Sequence, residues 1–375
     1  MAPVIQSVEV IPLRIPFSDK GGASAGGAKR SSVDVVIVRI KTNDGVIGIG
    51  ETQAWRRQGS AEYLPNLVRV IEHFFVPRLV GRSPFDIAAI MRDLNEALFG
   101  SLYAQAAVGD ALHDLVARLH GIPVCQLLGG KCRERLQVGL AVLVSGAFDR
   151  IEPVVEEAFE RGYRHFRLKI GGDQNEDVAN FKAMRKRFGD GIALRADANG
   201  ALRYDQALPL LARLQEYNLE FVEQPVSLHD LDGMAALARI VTIPISADES
   251  LSSEASLVEI VRRRAASMIQ TKIGKNGGLF YCKRLWTIAH AAGIAPLAGN
   301  HPTTSVAATA MAHLCAAWPW DLPIGEFSNG PTDVLADDVV VEPMRLENGT
   351  VIVPEGPGLG VELDEKKLAL YRADI

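Results

Sequence analysis

The chain has little of what would commit it to a crosslinked, membrane-bound or nucleic-acid-binding protein. Its 375 residues include four cysteines, Cys125, Cys132, Cys282 and Cys315, none in C-x-x-C spacing, so no disulfide or redox framework is expected. They read as reduced, mostly buried thiols in a cytoplasmic protein. No secretory apolar segment opens the sequence, because Glu9 and Arg14 interrupt its first residues. The longest small-apolar stretch, Thr303 to Trp318, contains His313 and is too short to span a bilayer; it reads as a buried helix. The net charge of −5 is spread along the chain without a basic block. Neither nucleic acid nor an anionic membrane is therefore an expected partner.

The length suits one large barrel with a smaller partner domain. Residues 3–14 and 33–42 are rich in β-branched side chains, and the second run enters Asn43-Asp44-Gly45, a tight-turn signal, before Val46 to Glu51. This predicts a three-stranded meander. Apolar residues at helical spacing follow in 61–80, 84–98 and 103–120, so residues 1–130 read as an α+β domain. The run Gly21 to Gly27, with four glycines, is either a surface loop or a lid. From about residue 131 strands and amphipathic helices alternate. Strands are expected near 137–143, 165–170, 192–197, 219–223, 243–248, 267–272, 294–298 and 322–326, an α/β barrel over 131–326. Residues 327–375 are irregular and Pro/Gly-rich, and are expected to pack back on the first domain.

Five charged residues end successive strands of that barrel: Lys169, Asp197, Glu223, Asp248 and Lys272, separated by 28, 26, 25 and 24 residues. Ionisable side chains at the carboxyl ends of parallel strands converge on one mouth, where barrels do their chemistry. The two lysines fall four strands apart in a ring of eight, on opposite sides of three carboxylates. Three adjacent carboxylates repel one another unless a cation compensates, and oxygen ligands without His or Cys favour Mg²⁺ or Mn²⁺. Such an arrangement suits removal of a proton next to a carboxylate, with lysine as the base if its pKa falls. Arg167 shares the inward face with Lys169 and supplies a neighbouring cation. Taken singly, each strand-end residue has a plainer reading as a helix cap or a solvated end.

The motifs FRLK, RADANG, FVEQP, ADES and QTKIGKNGG resemble the enolase superfamily, specifically its muconate-lactonizing-enzyme subgroup within the mandelate racemase/muconate lactonizing enzyme family. The resemblance covers essentially the whole chain. It implies a modified TIM barrel, (β/α)7β, under an N-terminal α+β capping domain, with a C-terminal segment returning to the cap. It further implies Asp197, Glu223 and Asp248 as Mg²⁺ ligands, Lys169 and Lys272 as the acid/base pair, and Asn199 and Glu249 as polar support. Loops near Gly21–Arg30 and Trp55–Gly59 would close over the substrate, and a homo-oligomer, dimer or octamer, is expected. One departure stands out: the subgroup commonly has Lys-x-Lys where this chain has Arg167-Leu168-Lys169. Arginine stays protonated and cannot exchange protons, but its planar fork could grip a carboxylate. Glu326, ending the eighth strand, is either a structural or a substrate-facing acid. Asn300 and His301, after the seventh strand, are candidates for substrate contact or a helix-entry turn.

The shared half-reaction is an enolate formed next to the carboxylate of a small molecule. Opposed lysines permit racemisation or epimerisation, while ring closure would give a cycloisomerase and loss of a β-leaving group a dehydratase. Lys20, Lys29, Arg30, Arg56 and Arg57 on the lid segments, with the likeness of the tail, tilt the reading to a muconate-type cycloisomerase acting on a dicarboxylate. In a different class, Lys272 would form a Schiff base in a metal-independent aldolase-like lyase.

Overall fold

The computed structural model describes residues 2–18, 31–54, 62–144, 146–299, 301–328 and 330–374. Strands β1 (Ile5–Pro16), β2 (Ser32–Thr42) and β3 (Ile47–Gln53) form the antiparallel meander expected from the sequence. The turn at Asn43-Asp44-Gly45 closes with Thr42 N–H donating to the Val46 carbonyl, and Gly45 takes φ 91°. Helices α1 (Leu64–Val70), α2 (Val76–Leu79), α3 (Ile87–Ala97) and α4 (Leu102–Leu119) follow. Helix α4 lies directly on β3 because two β3 residues lack side chains. A Cβ at Gly50 would fall 2.1 Å from the Ala107 carbonyl oxygen, and one at Gly48 2.3 Å from that of Ala111. That close packing fixes the cap's own core, which gathers Val36, Val38, Leu67, Leu94 and Leu112.

After α5 (Val124–Leu127) comes β4 (Arg135–Gln137), which joins a small antiparallel sheet with two later strands. The barrel proper runs β5 (Leu140–Ala141), β6 (His165–Lys169), β7 (Ala193–Asp197), β8 (Leu219–Glu223), β9 (Ile245–Ala247), β10 (Met268–Lys272) and β11 (Ala295–Gly299), all parallel and paired in sequence order. Helices α6 (Phe148–Glu160), α7 (Gln174–Phe188), α8 (Tyr204–Leu214), α9 (Leu231–Ile240), α10 (Glu254–Arg263), α11 (Gly278–Ala291) and α12 (Ser305–Ala317) alternate with them. Two sequence expectations need correction. The strand expected over 137–143 divides, so that only Leu140 and Ala141 remain in the barrel. The eighth strand, expected at 322–326, is one bridge between Val138 and Gly325.

The ring still closes there. Glu326 N–H donates to the Ala298 carbonyl at 2.8 Å and Gly139 N–H to the Gly325 carbonyl at 2.8 Å. A longer ladder is blocked because Pro323 has no N–H to give. The close approach needs glycine: a Cβ on Gly325 would stand 2.3 Å from the Ala298 carbonyl oxygen. Helix α12 is buried, as its apolar composition suggested. Among the described residues no helix is long and apolar enough to cross a membrane.

The tail returns to the cap. Strands β12 (Leu346–Glu347) and β13 (Thr350–Ile352) extend the sheet of β4, and the segment around α13 (Glu365–Leu370) reaches β1. Leu13 bridges Arg372, and Ala373 N–H donates to the Pro12 carbonyl. Buried Asp114 ties three segments together, accepting from Ile49 N–H in β3, Leu359 N–H in the tail and the Arg118 guanidinium on its own helix.

Gly325→Ala places a methyl group against backbone that has no flexible end to move. We expect it to lower the unfolding free energy by about 1–3 kcal/mol, with Gly172→Ala, which meets open space, as the neutral control. Urea denaturation followed by circular dichroism measures both, and equal midpoints for the two variants would contradict the closure described here.

Candidate active site

Strand alternation brings the charged residues together. Lys169 lies opposite Asp197 in register, and Asp197 opposite Glu223. Lys272 ends β10, with β7, β8 and β9 between it and Lys169. The carboxylates of Asp197, Glu223 and Asp248 are all fully buried. Lys169 Nζ donates to Asp197 Oδ2 at 2.6 Å and to Asn199 Oδ1 at 2.8 Å. Lys272 Nζ donates to Asp248 Oδ2 at 2.5 Å. Arg167 donates through Nη1 to both Asp197 and Glu223, the latter at 2.7 Å, and through Nε to Glu326. Its fork is thus engaged by three protein carboxylates.

Local backbone conformation aims several of these groups. Asn199 and Gln224 have positive φ, 46° and 36°, and such conformations recur at functional sites. The Asn199 amide donates to Glu249 Oε1 at 3.1 Å, while its own N–H donates to Asp197 Oδ1 at 2.8 Å. Gln224 Oε1 accepts from the N–H groups of Asp248 and Ser250, both at 3.1 Å, and so holds the turn that presents Asp248 and Glu249. Asn276 accepts from Lys272 N–H at 2.9 Å and donates to the Leu251 carbonyl. The cap supplies the remaining wall: Gln53 Nε2 lies 2.6 Å from His301 Nδ1, and Tyr103 stacks on the same imidazole with centroids 6.3 Å apart.

Two charged contributors, Lys275 and Arg195, go beyond the candidates read from the sequence, as do the uncharged Gln53, Tyr103, Gln224 and Asn276. Lys275, three residues beyond Lys272, donates to Asp248 Oδ1 at 2.6 Å; it stands inside the QTKIGKNGG motif, so the signal was present. Arg195, two residues before Asp197, lies beneath the cluster and donates to Glu326 Oε1 at 3.1 Å. Asn300 and the lid cations Lys20, Lys29, Arg30, Arg56 and Arg57 lie outside the described residues.

Charge balance divides the carboxylates. Burial alone would raise Asp197, but Lys169 and Arg167 outweigh it and hold it below the ordinary carboxylate value. Burial likewise opposes ionised Asp248, which Lys272 and Lys275 bring far down. Glu223 goes the other way, raised by burial and by Asp197 and Asp248 although Arg167 opposes. Glu249 is raised to about 7 by burial and the same two aspartates. Burial disfavours the Lys272 ammonium, yet Asp248 and Glu223 prevail and its pKa is raised. That is opposite to the drop expected of a base lysine, because the neighbouring carboxylates outweigh both burial and the opposing Arg167 charge. Burial and Lys272 keep His301 neutral.

The donor set fits a hard divalent cation. It offers three buried carboxylates from consecutive strand ends, and Glu223 Oε1 is buried without a hydrogen-bond partner. As the side chains stand, no three His, Cys, Asp or Glu among the described residues are gathered tightly enough to hold an ion, because Asp197 and Asp248 are drawn towards lysines. A cavity of about 680 Å³ runs outward from Lys169, Asn199 and Glu249 past Gly171, Asp173, Asp177 and Ser227.

A parallel barrel under an α+β cap, with lysines astride a row of buried carboxylates at its carboxyl mouth, defines a capped βα-barrel enzyme. Residues 23–129 match the family model for the mandelate racemase/muconate lactonizing enzyme N-terminal domain, and 151–367 match the enolase C-terminal domain-like model. The chain is 33% identical to muconate cycloisomerase 1 of Rhodococcus opacus, over 88% of each chain. It is 30% identical to N-succinyl-L-Arg/Lys racemase of Bacillus cereus, over 96% of this chain and 94% of that one. The crystal structure of muconate lactonizing enzyme from Pseudomonas fluorescens complexed with muconolactone superposes with a TM-score of 0.93 at 30% identity, covering 100% of both chains. The chain belongs to the mandelate racemase/muconate lactonizing enzyme family of the enolase superfamily. Like those relatives it is an isomerase, and enzymes of this family are generally divalent-metal dependent.

Glu249 contributes to the pH dependence of the chelated protein, beside other buried carboxylates such as Glu51 and Asp110. Its folded pKa is about 7 against an ordinary 4.5, so the folded state holds a proton that the unfolded state has lost. Stability therefore falls as pH rises from about 4.5 to 7 and stays lower above that range. Glu249→Gln is expected to flatten this slope and to stabilise the chelated protein at pH 8 by on the order of 1–3 kcal/mol. Thermal unfolding from pH 5 to 8 in the presence of a chelator checks it; identical slopes for the two proteins would refute the assignment.

Proposed function

We propose that this chain is a Mg²⁺-dependent isomerase that acts through an enolate formed next to the carboxylate of a small molecule, and that it catalyses a muconate-type cycloisomerisation, in which a substrate carboxylate oxygen adds to a double bond and the resulting enolate takes up a proton at its α-carbon. The observation that carries the reading is the pair Lys169 and Lys272, on strands separated by three others, with Asp197, Glu223 and Asp248 between them. Those three carboxylates would hold Mg²⁺, which supplies Lewis-acid stabilisation of the charge that develops on the substrate carboxylate. Mn²⁺ has the same ligand preference and is the expected substitute.

The chain's own residues divide the remaining tasks. Lys169, steadied by Asn199, and Lys272, steadied by Asp248, face the substrate's α-carbon from opposite sides as base and acid. Arg167 stays protonated and balances Asp197 and Glu223 rather than exchanging protons. His301, neutral and held by Gln53 and Tyr103, presents a polar edge without adding charge. A Schiff base on Lys272 is disfavoured, since Asp248 holds that lysine as an ammonium and the nucleophile needed is the free amine. Four free cysteines, three of them buried, agree with a cytoplasmic setting. Family likeness favours a homo-oligomer, a dimer or octamer.

One observation favours a second reading, racemisation or epimerisation of an amino-acid derivative. Asp173, Glu176, Asp177 and Glu249 line the cavity beside Lys169, and Lys169 is the only cation among the described residues lining it. That wall repels the second carboxylate of a dicarboxylate and suits a neutral or cationic distal group. Relatives include L-Ala-D/L-Glu epimerase of Bacillus subtilis, 30% identical over 88% of this chain.

Turnover of muconates, N-acylamino acids and dipeptides with Mg²⁺, together with α-proton exchange in D₂O followed by NMR, separates these readings. Lys169→Ala and Lys272→Ala should each lower the rate by roughly 10²–10⁴-fold, and on a chiral substrate each should abolish exchange from one enantiomer only. Asn in place of Asp197, Glu223 or Asp248 should weaken Mg²⁺ binding and activity together. Full turnover after exhaustive chelation, or parental exchange of both enantiomers by either lysine variant, would overturn the proposal.

A further inference from the structure

The barrel interior beneath the cluster is charged rather than apolar. Arg195, 1% exposed, lies on β7 one inward layer below Asp197 and opposite Arg167 in register. Its Nη1 donates to Glu326 Oε1 at 3.1 Å, its Nε to Glu220 Oε2 at 2.6 Å, and its Nη2 stands 3.2 Å from His165 Nδ1. The other oxygen of Glu326 accepts from Arg167 Nε. Glu326 is therefore shared by two guanidinium groups, one facing the barrel floor and the other facing the carboxylates above.

The surrounding backbone accommodates this arrangement. The register shifts between Leu194 and Arg195, which pair with Leu219 and Phe221, so Glu220 is left as the extra residue beside Arg195. A Cβ on Gly139 would lie 3.2 Å from Arg195 Nη1 and 3.1 Å from the His165 carbonyl oxygen, so glycine there leaves the guanidinium its room. A buried ion network is seldom more stable than an apolar core of the same shape, which points to a use other than stability.

Building on the metal reading above, we infer that Arg195 is a positioning residue that sets, through Glu326, how much of the Arg167 charge reaches Asp197 and Glu223. It thereby sets the affinity of that cluster for a divalent cation. With Arg195 present, Glu326 is compensated from below and Arg167 is free to balance the upper carboxylates. Without it, Glu326 depends on Arg167 alone, the upper carboxylates lose part of their compensation, and a divalent cation binds more tightly. Replacing Glu326 by a neutral group does the reverse, returning Arg167 wholly to Asp197 and Glu223 and weakening the cation's hold. Disordering the site would weaken binding in both cases, so the sign separates the two explanations.

The test is Mn²⁺ and Mg²⁺ titration of the full-length protein, with free Mn²⁺ read by electron paramagnetic resonance and Mg²⁺ by calorimetry. Arg195→Met should lower Kd by roughly three- to thirtyfold and Glu326→Gln should raise it by about the same factor, the range of coupling between residues in contact. The double variant should match Glu326→Gln, because Arg195 has no route to Arg167 once Glu326 is neutral, and Arg195→Lys should lie within about twofold of the parent. If Arg195→Met alone does not fold by circular dichroism, the comparison of Glu326→Gln with the double variant carries the test: equal Kd supports the route through Glu326, and a double variant that returns to the parental Kd overturns it. Parental Kd in both single variants, or weakened binding in both, overturns the role of Arg195. A parent that binds neither ion overturns the metal reading itself, and this inference with it.

Discussion

Buried negative charge at the barrel mouth is the constraint on which the rest of the site depends. Asp197, Glu223, Asp248 and Glu326 are each almost wholly removed from water, and an isolated carboxylate in such a place would take up a proton rather than remain charged. Arg167, Lys169, Lys272, Lys275 and Arg195 are the compensation, each in hydrogen-bonded contact with at least one of these acids. Their positions follow from strand geometry. Because side chains alternate with period two and neighbouring strands stay in register, one choice of inward face aligns Arg167 with Arg195 and Lys169 with Asp197. Glu223 is the least compensated of the set, and its raised pKa marks where the cluster has capacity for another positive charge.

The cap and tail are held to the barrel by carboxylates of a different kind, hydrogen-bonded to backbone instead of paired. Glu51 on β3 accepts from Thr304 N–H, the Thr304 hydroxyl and Ala307 N–H, so a cap residue closes the exposed N–H groups that begin α12. Asp338, from the tail, accepts from Ser305 at the same helix start. Burial raises Glu51 to about 7 against those hydrogen bonds. Because Gln53 lies two residues further along the same strand and meets His301, the docking of β3 also decides where that imidazole stands. Cap position and site geometry are thus one structural variable.

The sequence made the barrel legible because its repeat is strong: each apolar run ends in a charged residue, and the spacing of those residues matches one strand plus one helix. The five candidate site residues were readable for the same reason, being the charged ends of otherwise aliphatic strands. Strand eight was misjudged because Leu322 to Glu326 has the composition of a strand end but lacks a proline N–H, and Gly325 allows a single close bridge in place of a ladder. Arg195 was passed over because an arginine inside a short strand carries no local sign of burial; only the bulge at Glu220 and the gap over Gly139 reveal the space it fills. Lys275 sits in a turn, where lysine ordinarily means solvent. What was hidden in each case was three-dimensional proximity between residues far apart in the chain, which no one-dimensional pattern encodes.

The two lysines are not equivalent, and the difference bears on how the proposed chemistry is switched on. Lys272 is held as an ammonium by Asp248, which is also engaged by Lys275. Asp248 therefore already divides its charge between two ammonium groups. Coordination by the same carboxylate would divide its charge further, so the group keeping Lys272 protonated is also one of the three proposed to bind the cation. Under that proposal, cation uptake at Asp248 and retention of the Lys272 proton are opposed demands on one side chain, so binding of the cation would ease loss of that proton. Lys169 differs in having Asn199 as a second, neutral partner, which orients its nitrogen.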